Sequence, residues 1–489
     1  MPQKTVLAGV GLLILATFSF APANLVGDVR AQVGGLFSQV FPSSQTASAI
    51  GAVGTASASE QALLESEARL LSVSISAVNA LAPASSAQNA KSASSPVAGA
   101  SKSSTEKLQS AKRRGAVMQK LAKIDAKAFL RNVMPAQKRA QLPADVQQEV
   151  EAITTINGAV DVLHIDDFSD ERKSRFEYTL RAGGSPIALY IAGDAPAMAS
   201  NSQVQVKGYK IGNTMVAAAG PSVKVLSSSE PESGGTQNTL VILATSPGFP
   251  STPTKEEMRS MIFSGNFEKY YAEQSYGITR FVGDVTDWIS VPPSAISWCG
   301  LPSLEQTEVK NYTAQNGIDL SRYGRIMFVN NGFGGGCAFV GKSDWPFNGA
   351  TYRLSQGWTG LAGFDSDYRG MSVFAYVLAH EMGHELGVMH SNAWSCTGAS
   401  LDKDCQHMEY GNSFDVMGYG YNGKHFNAFY KDFLGWLATS SKVSITRSGN
   451  YSLAPIEAQS GVRAGVLTNP AVPSLAPLYL EFRQPIGYD

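Results

Sequence analysis

Apolar and polar residues alternate along one stretch of the chain. Between residues 153 and 225 the alternation is clear in VDVLHI at 160–165 and in VQVKGY at 204–209, and turn residues separate such runs. Successive side chains of a strand point to opposite faces, so the pattern indicates strands with one buried face. We therefore expect a small antiparallel β domain in this region.

Farther along the chain, apolar residues run together. The segment LVILA at 240–244 predicts a buried strand, and further strands are predicted at 281–285 and 325–329. Helices are predicted at 255–275 and 305–316. Strands that alternate with helices indicate a mixed sheet with helices packed on it, which is an α/β (α+β) fold class.

A further helix is predicted to begin near Met371 and to continue through SVFAYVLA at 372–379. Apolar residues cover nearly its whole circumference, which is typical of a helix buried in the centre of a domain. Such a helix can hold the side chains at its end in a fixed geometry.

The N-terminus has the parts of a secretory signal peptide. Lys4 precedes an apolar run at 5–20 and the small residues Ala21-Pro22-Ala23, and cleavage is expected after Ala23. The alternative is an uncleaved N-terminal anchor, although a bilayer span needs about 20 apolar residues. We expect secretion and no stable membrane insertion.

Two further stretches precede the β region. Residues 43–104 are rich in Ala, Ser and Gly, which predicts a flexible spacer with one helix near 60–71. Residues 107–139 predict a basic helical stretch. Its run Lys112-Arg113-Arg114 is interpreted either as a solvated helix face or as a site for a processing protease.

Composition limits the partners. The chain has 489 residues, 44% of them hydrophobic, and its 39 basic and 40 acidic side chains give a formal net charge of −1. This balance provides no electrostatic reason to bind nucleic acid or an anionic membrane. We expect a monomer that binds neither.

The strongest chemical signal follows the predicted central helix. The sequence HEMGHELGVMH, which starts at His380, has the pattern H-E-x-x-H-x-x-G-x-x-H. His380 and His384 lie one turn apart on the same helix face, so both can reach one metal ion. Gly387 can adopt a left-handed conformation that ends the helix and brings back His390 as a third ligand. One coordination position then stays open for water, beside Glu381.

A second motif, FDVMG at 414–418, places Met417 in a turn after the helix, where it would lie beneath the imidazoles; a buried core methionine is the ordinary alternative. Together the two motifs resemble the metzincin zinc peptidases. Within them the chain is similar to gametolysin-like peptidases, on FDVMG, on YAEQSYG at 271–277 and on FNAFYKDFLGW at 426–436. The resemblance covers about residues 240–489.

This resemblance implies a two-lobed catalytic domain with a mixed twisted sheet, a central zinc helix, zinc at the floor of a cleft, and protein or peptide substrates. It also implies a role for Tyr419, because a tyrosine there coordinates resting zinc in some metzincins and then stabilises the oxyanion. The alternative is a packing tyrosine. Zinc would activate water for attack on the peptide bond, with Glu381 as general base and then general acid.

We divide the chain accordingly. The predicted segments are a signal peptide at 1–23, a low-complexity spacer with a basic helical pro-region at 24–150, a β-rich pro-domain at 151–226, a linker at 227–239, the zinc metallopeptidase domain at 240–440 and a C-terminal β segment at 441–489. The last segment stops soon after a strand-like stretch at 478–483, which suggests a truncated sequence or an incomplete β element.

Four cysteines in an exported chain favour two disulfides, for which three pairings exist. Cys396 and Cys405 bracket a short polar loop after the motif, so we pair them, which leaves Cys299 with Cys337. Free buried thiols are the alternative. A cysteine zinc site is disfavoured, because no C-x-x-C spacing occurs.

The β-rich pro-domain is interpreted as an aid to folding or as a cover for the active-site cleft, which would make the protein a zymogen. It contains no cysteine. A thiolate therefore cannot block the zinc, and inhibition would have to come from a carboxylate or from steric cover. A permanent β module without an inhibitory role is the alternative.

The other candidate residues carry weaker signals. His164, His407 and His425 are interpreted as surface or core residues, and Glu385 as structural or solvated. The AFV segment at 338–340 is a candidate edge strand for an extended peptide, with a glycine-rich connecting loop as the alternative. Asp365 and Asp367 could hold calcium, although a solvated loop is the simpler interpretation.

The leading functional hypothesis is thus a secreted zinc endopeptidase made as a zymogen. The alternative is a cell-surface binding or adhesion protein whose peptidase fold is catalytically idle, and a zinc hydrolase of non-peptide bonds is a weaker third. Glu381 beside all three histidines argues against an idle fold, because a binding module has no need of a general base.

Overall fold

A computed structural model describes residues 4–8, 58–77, 98–167, 174–249, 251–295, 303–331, 336–361, 372–397, 405–418, 424–468 and 476–489. The chain forms two compact units. The larger unit contains residues 163–176 and 230–489 together with the N-terminal strand, and the smaller unit contains the described residues of 47–162 and of 177–229.

The N-terminal strand β1 (Lys4–Ala8) pairs antiparallel with residues 449–453. The rest of the predicted signal peptide, and most of the predicted spacer, lie outside the described residues. Among the helices that the structure describes, none has both the length and the apolar character that a membrane crossing requires.

Five helices belong to the smaller unit: α1 (Ala58–Ala77), α2 (Ala98–Ile124), α3 (Ala126–Arg131), α4 (Ala136–Ala140) and α5 (Ala144–Gln147). Leu64 of α1 packs with Met118 and Leu121 of α2 and with Phe129 of α3 in a buried apolar cluster. The helices therefore share a core, as amphipathic helices require.

The basic run at 112–114 does not form a uniformly solvated face. Arg113 is exposed, but Arg114 is fully buried and its guanidinium donates to both carboxylate oxygens of Glu151 and to the carbonyl of Asn132. A buried guanidinium is stable only when it is paired in this way. Arg114 therefore holds the helices of the smaller unit in place and is not a surface residue.

Six strands follow the helices: β2 (Ala152–Asp166), β3 (Arg175–Arg181), β4 (Ile187–Ala192), β5 (Ser202–Ile211), β6 (Thr214–Ala218) and β7 (Val223–Ser227). β5 pairs antiparallel with β2, β6 and β7, as the alternation predicts. β4, however, pairs parallel with β6, so the strands are not purely antiparallel. The last four residues of β2, Leu163–Asp166, belong to the larger unit.

The larger unit is built on a mixed sheet. Its strands are β8 (Gly235–Thr245), β9 (Thr279–Val285), β10 (Ile289–Ser290), β11 (Arg325–Asn330), β12 (Gly336–Phe339), β13 (Ser343–Phe347) and β14 (Ala350–Gly360). β9, β10 and β11 pair parallel with β8, and β14 pairs parallel with β11. β12 and β13 pair antiparallel with β14. β8 begins at Gly235, inside the predicted linker.

Every residue of β11 is buried, because this central strand separates two apolar clusters. Met327 and Val329 face one cluster, while Ile326 and Phe328 face the other. A strand covered on both faces has a continuous apolar sequence. The RIMFVN sequence of β11 follows this rule.

The first helices of the larger unit are α6 (Lys255–Phe263), α7 (Asn266–Gln274), α8 (Thr307–Gln315) and α9 (Val373–Leu386). α9 starts two residues after the predicted Met371, where the Ser372 hydroxyl accepts the N–H of Ala375 at 3.1 Å. All its residues from Phe374 to Leu386 are buried, so the predicted central helix lies in the core.

The remaining elements are β15 (Ala393–Cys396), β16 (Cys405–Met408), α10 (Ala428–Phe433), β17 (Lys442–Ile445), β18 (Gly449–Leu453), β19 (Ala464–Leu467) and β20 (Leu478–Glu481). β15 pairs antiparallel with β16. β17, β19 and β20 form a separate three-stranded sheet, so the C-terminal segment contains β structure.

Candidate metal centre

Three imidazole rings converge at the end of α9. His380 and His384 lie one turn apart on the helix, and Gly387 ends it with a φ of 107°, after which the chain returns His390 to the same place. The ring centroids are 5.0 Å apart for His380 and His384, 5.3 Å for His380 and His390, and 5.1 Å for His384 and His390. All three side chains are buried.

Hydrogen bonds fix the orientation of each ring. Nδ1 of His380 lies 2.8 Å from the carbonyl oxygen of Val416, and Nδ1 of His384 lies 2.9 Å from that of Val388. A carbonyl can only accept, so both Nδ1 atoms carry a proton, and in the neutral ring Nε2 is then the atom with the lone pair. Nδ1 of His390 lies 2.6 Å from Oε1 of Glu409. Such second partners orient histidines that bind metals.

An aspartate from β2 lies among the three rings. Oδ1 of Asp166 is 2.8 Å from Nε2 of His390 and 3.8 Å from Nε2 of His380, and Oδ2 is 3.4 Å from Nε2 of His384. The same carboxylate belongs to two groups of potential ligand atoms, one with His164, His384 and His390 and one with His380 and Glu381. The patterns in the sequence did not predict Asp166 as a site residue.

His164 and Tyr410 hold this aspartate. Nδ1 of His164 is 3.0 Å from Oδ2 of Asp166, and the Tyr410 hydroxyl donates to Oδ1 and contacts Ser174 at 2.7 Å. Burial alone would raise the pKa of Asp166, but His164 and His390 hold the pKa well below its usual range. His164 is thus a core residue at the centre itself, and not a remote one.

Burial also governs the neutral state of two rings. It lowers the pKa of His164 and that of His384 to about 4, against the opposing effect of Asp166. These imidazoles are therefore uncharged at neutral pH. A metal ion requires this state, because only a neutral ring has a lone pair to give.

Glu381 points toward the centre and Glu385 points away from it. The Glu381 carboxylate is fully buried and neither oxygen has a hydrogen-bond partner in the part of the chain that the structure describes. Burial, and then the charge of Asp166, raise its pKa well above the ordinary value. Glu385 lies 3.9 Å from the buried guanidinium of Arg325, and burial raises its pKa to about 8. Glu385 is structural, and the solvated interpretation was wrong.

Gly336 of β12 leaves room for the Glu381 carboxylate. A Cβ at position 336 would lie 1.8 Å from Oε1 of Glu381. A side chain at that position would therefore displace the glutamate, so the glycine is required for its orientation.

The turn at 415–418 lies directly against α9. A Cβ at Gly383 would meet Sδ of Met417 at 2.4 Å, so the methionine packs on the helix face between the two ligand turns. The hydroxyl of Tyr376 donates to the carbonyls of Val416 and Gly418, at 2.8 and 3.1 Å. The turn and the helix therefore hold each other in register.

Asp415 closes the same turn. Its buried carboxylate accepts the N–H of Met417 at 2.8 Å and the N–H of Asn427 at 2.7 Å. Burial raises the pKa of this group to about 6, although the N–H of Met417 acts in the opposite direction. Both bonds connect the turn to the segment that follows it.

We expect Asp415→Ala to lower the free energy of unfolding by about 2–4 kcal/mol, because it leaves two buried N–H groups without an acceptor. Urea denaturation followed by tryptophan fluorescence measures this, since the tryptophans in the described part of the chain lie within the larger unit. Asp319→Ala is the matched control: Asp319 also accepts a backbone N–H, from Ser321 at 2.9 Å, but it is exposed and water can replace it. Equal losses in both variants would contradict the argument.

Hydrogen bonds to α10, to its N-cap residue Asn427 and to the turn at 415–418 hold the chain at His390 and Ser391 in place. The hydroxyl of Tyr430 donates to the carbonyl of His390 at 2.7 Å. The N–H of Ser391 donates to the carbonyl of Met417 at 2.8 Å, and the Ser391 hydroxyl accepts the side-chain amide of Asn427 at 3.0 Å. The position of His390 thus depends on α10 and on the turn, which lie outside the H-E-x-x-H helix.

Cys396 and Cys405 form a disulfide between β15 and β16, with an S–S distance of 2.09 Å. Cys337 of β12 is also disulfide-bonded. Its predicted partner, Cys299, lies outside the described residues.

Three predicted site residues lie in segments that the structure does not describe. Tyr419 lies outside the described residues, as do Asp365 and Asp367, so their roles stay predictions. The candidate edge strand at 338–340 overlaps β12 and pairs with β14 on one side and with Leu163–Asp166 on the other.

The donor set fits zinc. Neutral imidazole nitrogens are ordinary zinc ligands, and three of them with a carboxylate or water complete a tetrahedral site. Because Nδ1 of His380 and of His384 is bonded to a carbonyl, Nε2 is the atom of each ring that is left to bind the metal. The Glu381 carboxylate is buried beside this donor set, in one group of potential ligand atoms with Asp166 and His380.

Comparison with known families agrees with this chemistry. Residues 278–427 match the family model described as metallo-peptidase family M12B, reprolysin-like. The matched segment contains the three histidines, Glu381 and Met417. Comparison with curated proteins gives no significant match. The match supports a metallopeptidase, and hence a peptide or protein substrate.

Proposed function

We propose that this protein is a secreted zinc-dependent endopeptidase made as a zymogen. The observation that carries the proposal is the convergence of three buried imidazoles beside the Glu381 carboxylate. The match to a metallopeptidase family over the same residues supports it.

His380, His384 and His390 are the proposed zinc ligands, through their Nε2 atoms. Glu409 orients His390 through its Nδ1 hydrogen bond, as the carbonyls of Val416 and Val388 orient the other two rings. Zinc, when bound, supplies a Lewis acid that acidifies water and polarises the carbonyl of the scissile bond.

Glu381 is the proposed proton carrier. Its carboxylate accepts a proton from the attacking water and passes that proton to the nitrogen of the leaving amine. A cation beside the carboxylate favours its charged form, which counteracts the burial that raises its pKa. Gly336 leaves the space in which the carboxylate faces the centre.

At the finer level we propose a metzincin of the gametolysin-like kind. The long histidine motif, the Met417 turn packed beneath α9 and the left-handed Gly387 support this assignment. The family model that matches the chain is reprolysin-like, and it supports the broader class of metallopeptidases. Tyr419 stays the residue proposed to stabilise the oxyanion.

Secretion is proposed from the N-terminal sequence and from cysteine usage. The disulfide between Cys396 and Cys405, and the bonded state of Cys337, are compatible with an oxidising compartment. We keep the prediction of a monomer, and calcium stays a secondary prediction.

The proposal is tested on secreted chain from which the pro-region has been removed. We expect about one zinc per chain and cleavage of casein that 1,10-phenanthroline abolishes and added zinc restores. The uncut chain serves as the control and should be much less active. Metal-free folded protein, or cleavage that a chelator leaves unchanged, would refute the proposed activity.

A further inference from the structure

The edge of β12 is covered by a short segment of the chain's own pro-region. Leu163–Asp166 pairs antiparallel with Gly336–Phe339, in the register Leu163 opposite Phe339 and Asp166 opposite Gly336. The other edge of β12 is taken by β14. An extended peptide that binds by strand addition would use the edge that Leu163–Asp166 covers.

The register determines where the aspartate lies. Asp166 is opposite Gly336, and Gly336 lies against the Glu381 carboxylate, so the strand ends directly at the centre. The carboxylate oxygens of Asp166 are then 2.8 to 3.8 Å from the Nε2 atoms of all three histidines, although Asp166 and His390 are 224 residues apart in sequence.

Further contacts hold the carboxylate in this place. His164, two residues earlier on the same strand face, bonds to Oδ2, and the Tyr410 hydroxyl donates to Oδ1. The N–H of Asp167 donates to Ser174 at 3.0 Å, and Ser174 in turn contacts the Tyr410 hydroxyl. The aspartate is therefore oriented from its own strand and from the loop that also carries Glu409.

We propose that Asp166 is the fourth protein ligand of the metal in the uncut chain, and that Leu163–Asp166 keeps the enzyme latent by filling both the water position and the substrate edge. This inference rests on the proposed zinc peptidase function. Carboxylate oxygen is an ordinary zinc ligand, and with three imidazoles it completes a closed tetrahedral set. A closed set has no position for water, so the uncut chain cannot carry out hydrolysis.

If Asp166 is a metal ligand in the uncut chain, cleavage of the linker is not sufficient to activate the enzyme. The predicted linker at 227–239 lies well after Asp166 in sequence, so a cut there leaves Leu163–Asp166 on β12. Activity then requires that the severed pro-region dissociates. A cut chain that has not lost this segment should remain latent.

The test uses the full chain with Glu381→Gln, which prevents self-cleavage, loaded with zinc or with Co²⁺. The probe is a fluorescent hydroxamate that binds to an open metal position. We expect Asp166→Ala and Asp166→Asn to bind the hydroxamate at least about tenfold more tightly than the parent. We also expect the visible Co²⁺ spectrum of the parent to stay unchanged when hydroxamate is added, while that of each variant shifts.

Asp167→Asn is the matched control, because Asp167 is the adjacent buried aspartate and is absent from the potential ligand groups found among the described residues. It should behave as the parent. Equal hydroxamate affinity in the parent and in both Asp166 variants would overturn the inference. If these proteins still bind zinc, the same result leaves the peptidase proposal standing. Absence of bound metal in every form would refute the proposed function instead. If Asp166→Ala does not fold, a parent Co²⁺ spectrum that shifts with hydroxamate still overturns the inference.

Discussion

Replacement of Glu381 by alanine is expected to lower kcat/KM for casein cleavage by at least about a hundredfold, while the zinc content stays unchanged. General acid–base catalysis by a positioned side chain contributes about 10²–10⁴ to a rate. The side chain is buried at the centre but is not among the proposed ligands, so its loss should affect proton transfer and not metal binding. Steady-state kinetics on processed enzyme, together with elemental analysis, measure both quantities.

Glu385→Gln is the matched control for this variant. It lies one turn farther along α9, on the side of Arg325, and burial raises its pKa to about 8. The carboxyl is therefore mostly neutral at pH 7, and glutamine resembles that neutral form. We expect kcat/KM to stay within about threefold of the parent, because the residue takes no part in proton transfer. Casein cleavage at the parental rate by Glu381→Ala would disprove the role assigned to Glu381.

Replacement of His384 by alanine is expected to weaken zinc binding by more than about a hundredfold and to abolish cleavage. Loss of a residue that only orients a ligand already reduces metal affinity by about 10–100-fold, and loss of a ligand should have a larger effect. Competition with a chromogenic chelator measures the zinc affinity. Circular dichroism of the same samples shows whether the chain has folded.

His407→Ala is the control for the histidine variant. His407 is exposed on β16, where its ring contacts Trp394 at a centroid distance of 5.8 Å. Its removal should change neither zinc affinity nor activity. If His384→Ala keeps parental zinc affinity, the metal is bound elsewhere and the proposed ligand set is wrong.

The sequence was sufficient to predict the elements at which the site is built. An unbroken apolar run predicted β8 and the all-round apolar helix predicted α9, because both patterns follow directly from burial. The spacing of His380, His384 and His390 with Gly387 predicted that the rings would approach one another. The measured ring distances agree with that expectation.

Asp166, His164, Glu409 and Tyr410 could not be found in the same way. Their positions depend on which strand pairs with β12 and on how the chain after β16 returns to His390. Local periodicity contains no information about such distant pairings. The one usable signal was negative: the absence of cysteine before β8 left a carboxylate or steric cover as the means of inhibition.

A catalytically idle binding protein, the alternative function, would need different features at the metal centre. Such a protein needs a stable surface but has no use for a general base beside three imidazoles that can bind a metal. Glu381 has that position, because its carboxylate belongs to one group of potential ligand atoms with Asp166 and His380. This position favours an enzyme, and the Glu381 variant decides between the two.

The double pairing of β12 has a consequence for handling the protein. When Leu163–Asp166 leaves, the edge of Gly336–Phe339 that it covers turns toward solvent. Exposed strand edges recruit strands of other molecules, including further copies of the same chain. Purified mature protein should therefore aggregate more readily on storage than its precursor does. An added peptide that pairs with this edge as a strand should reduce the aggregation.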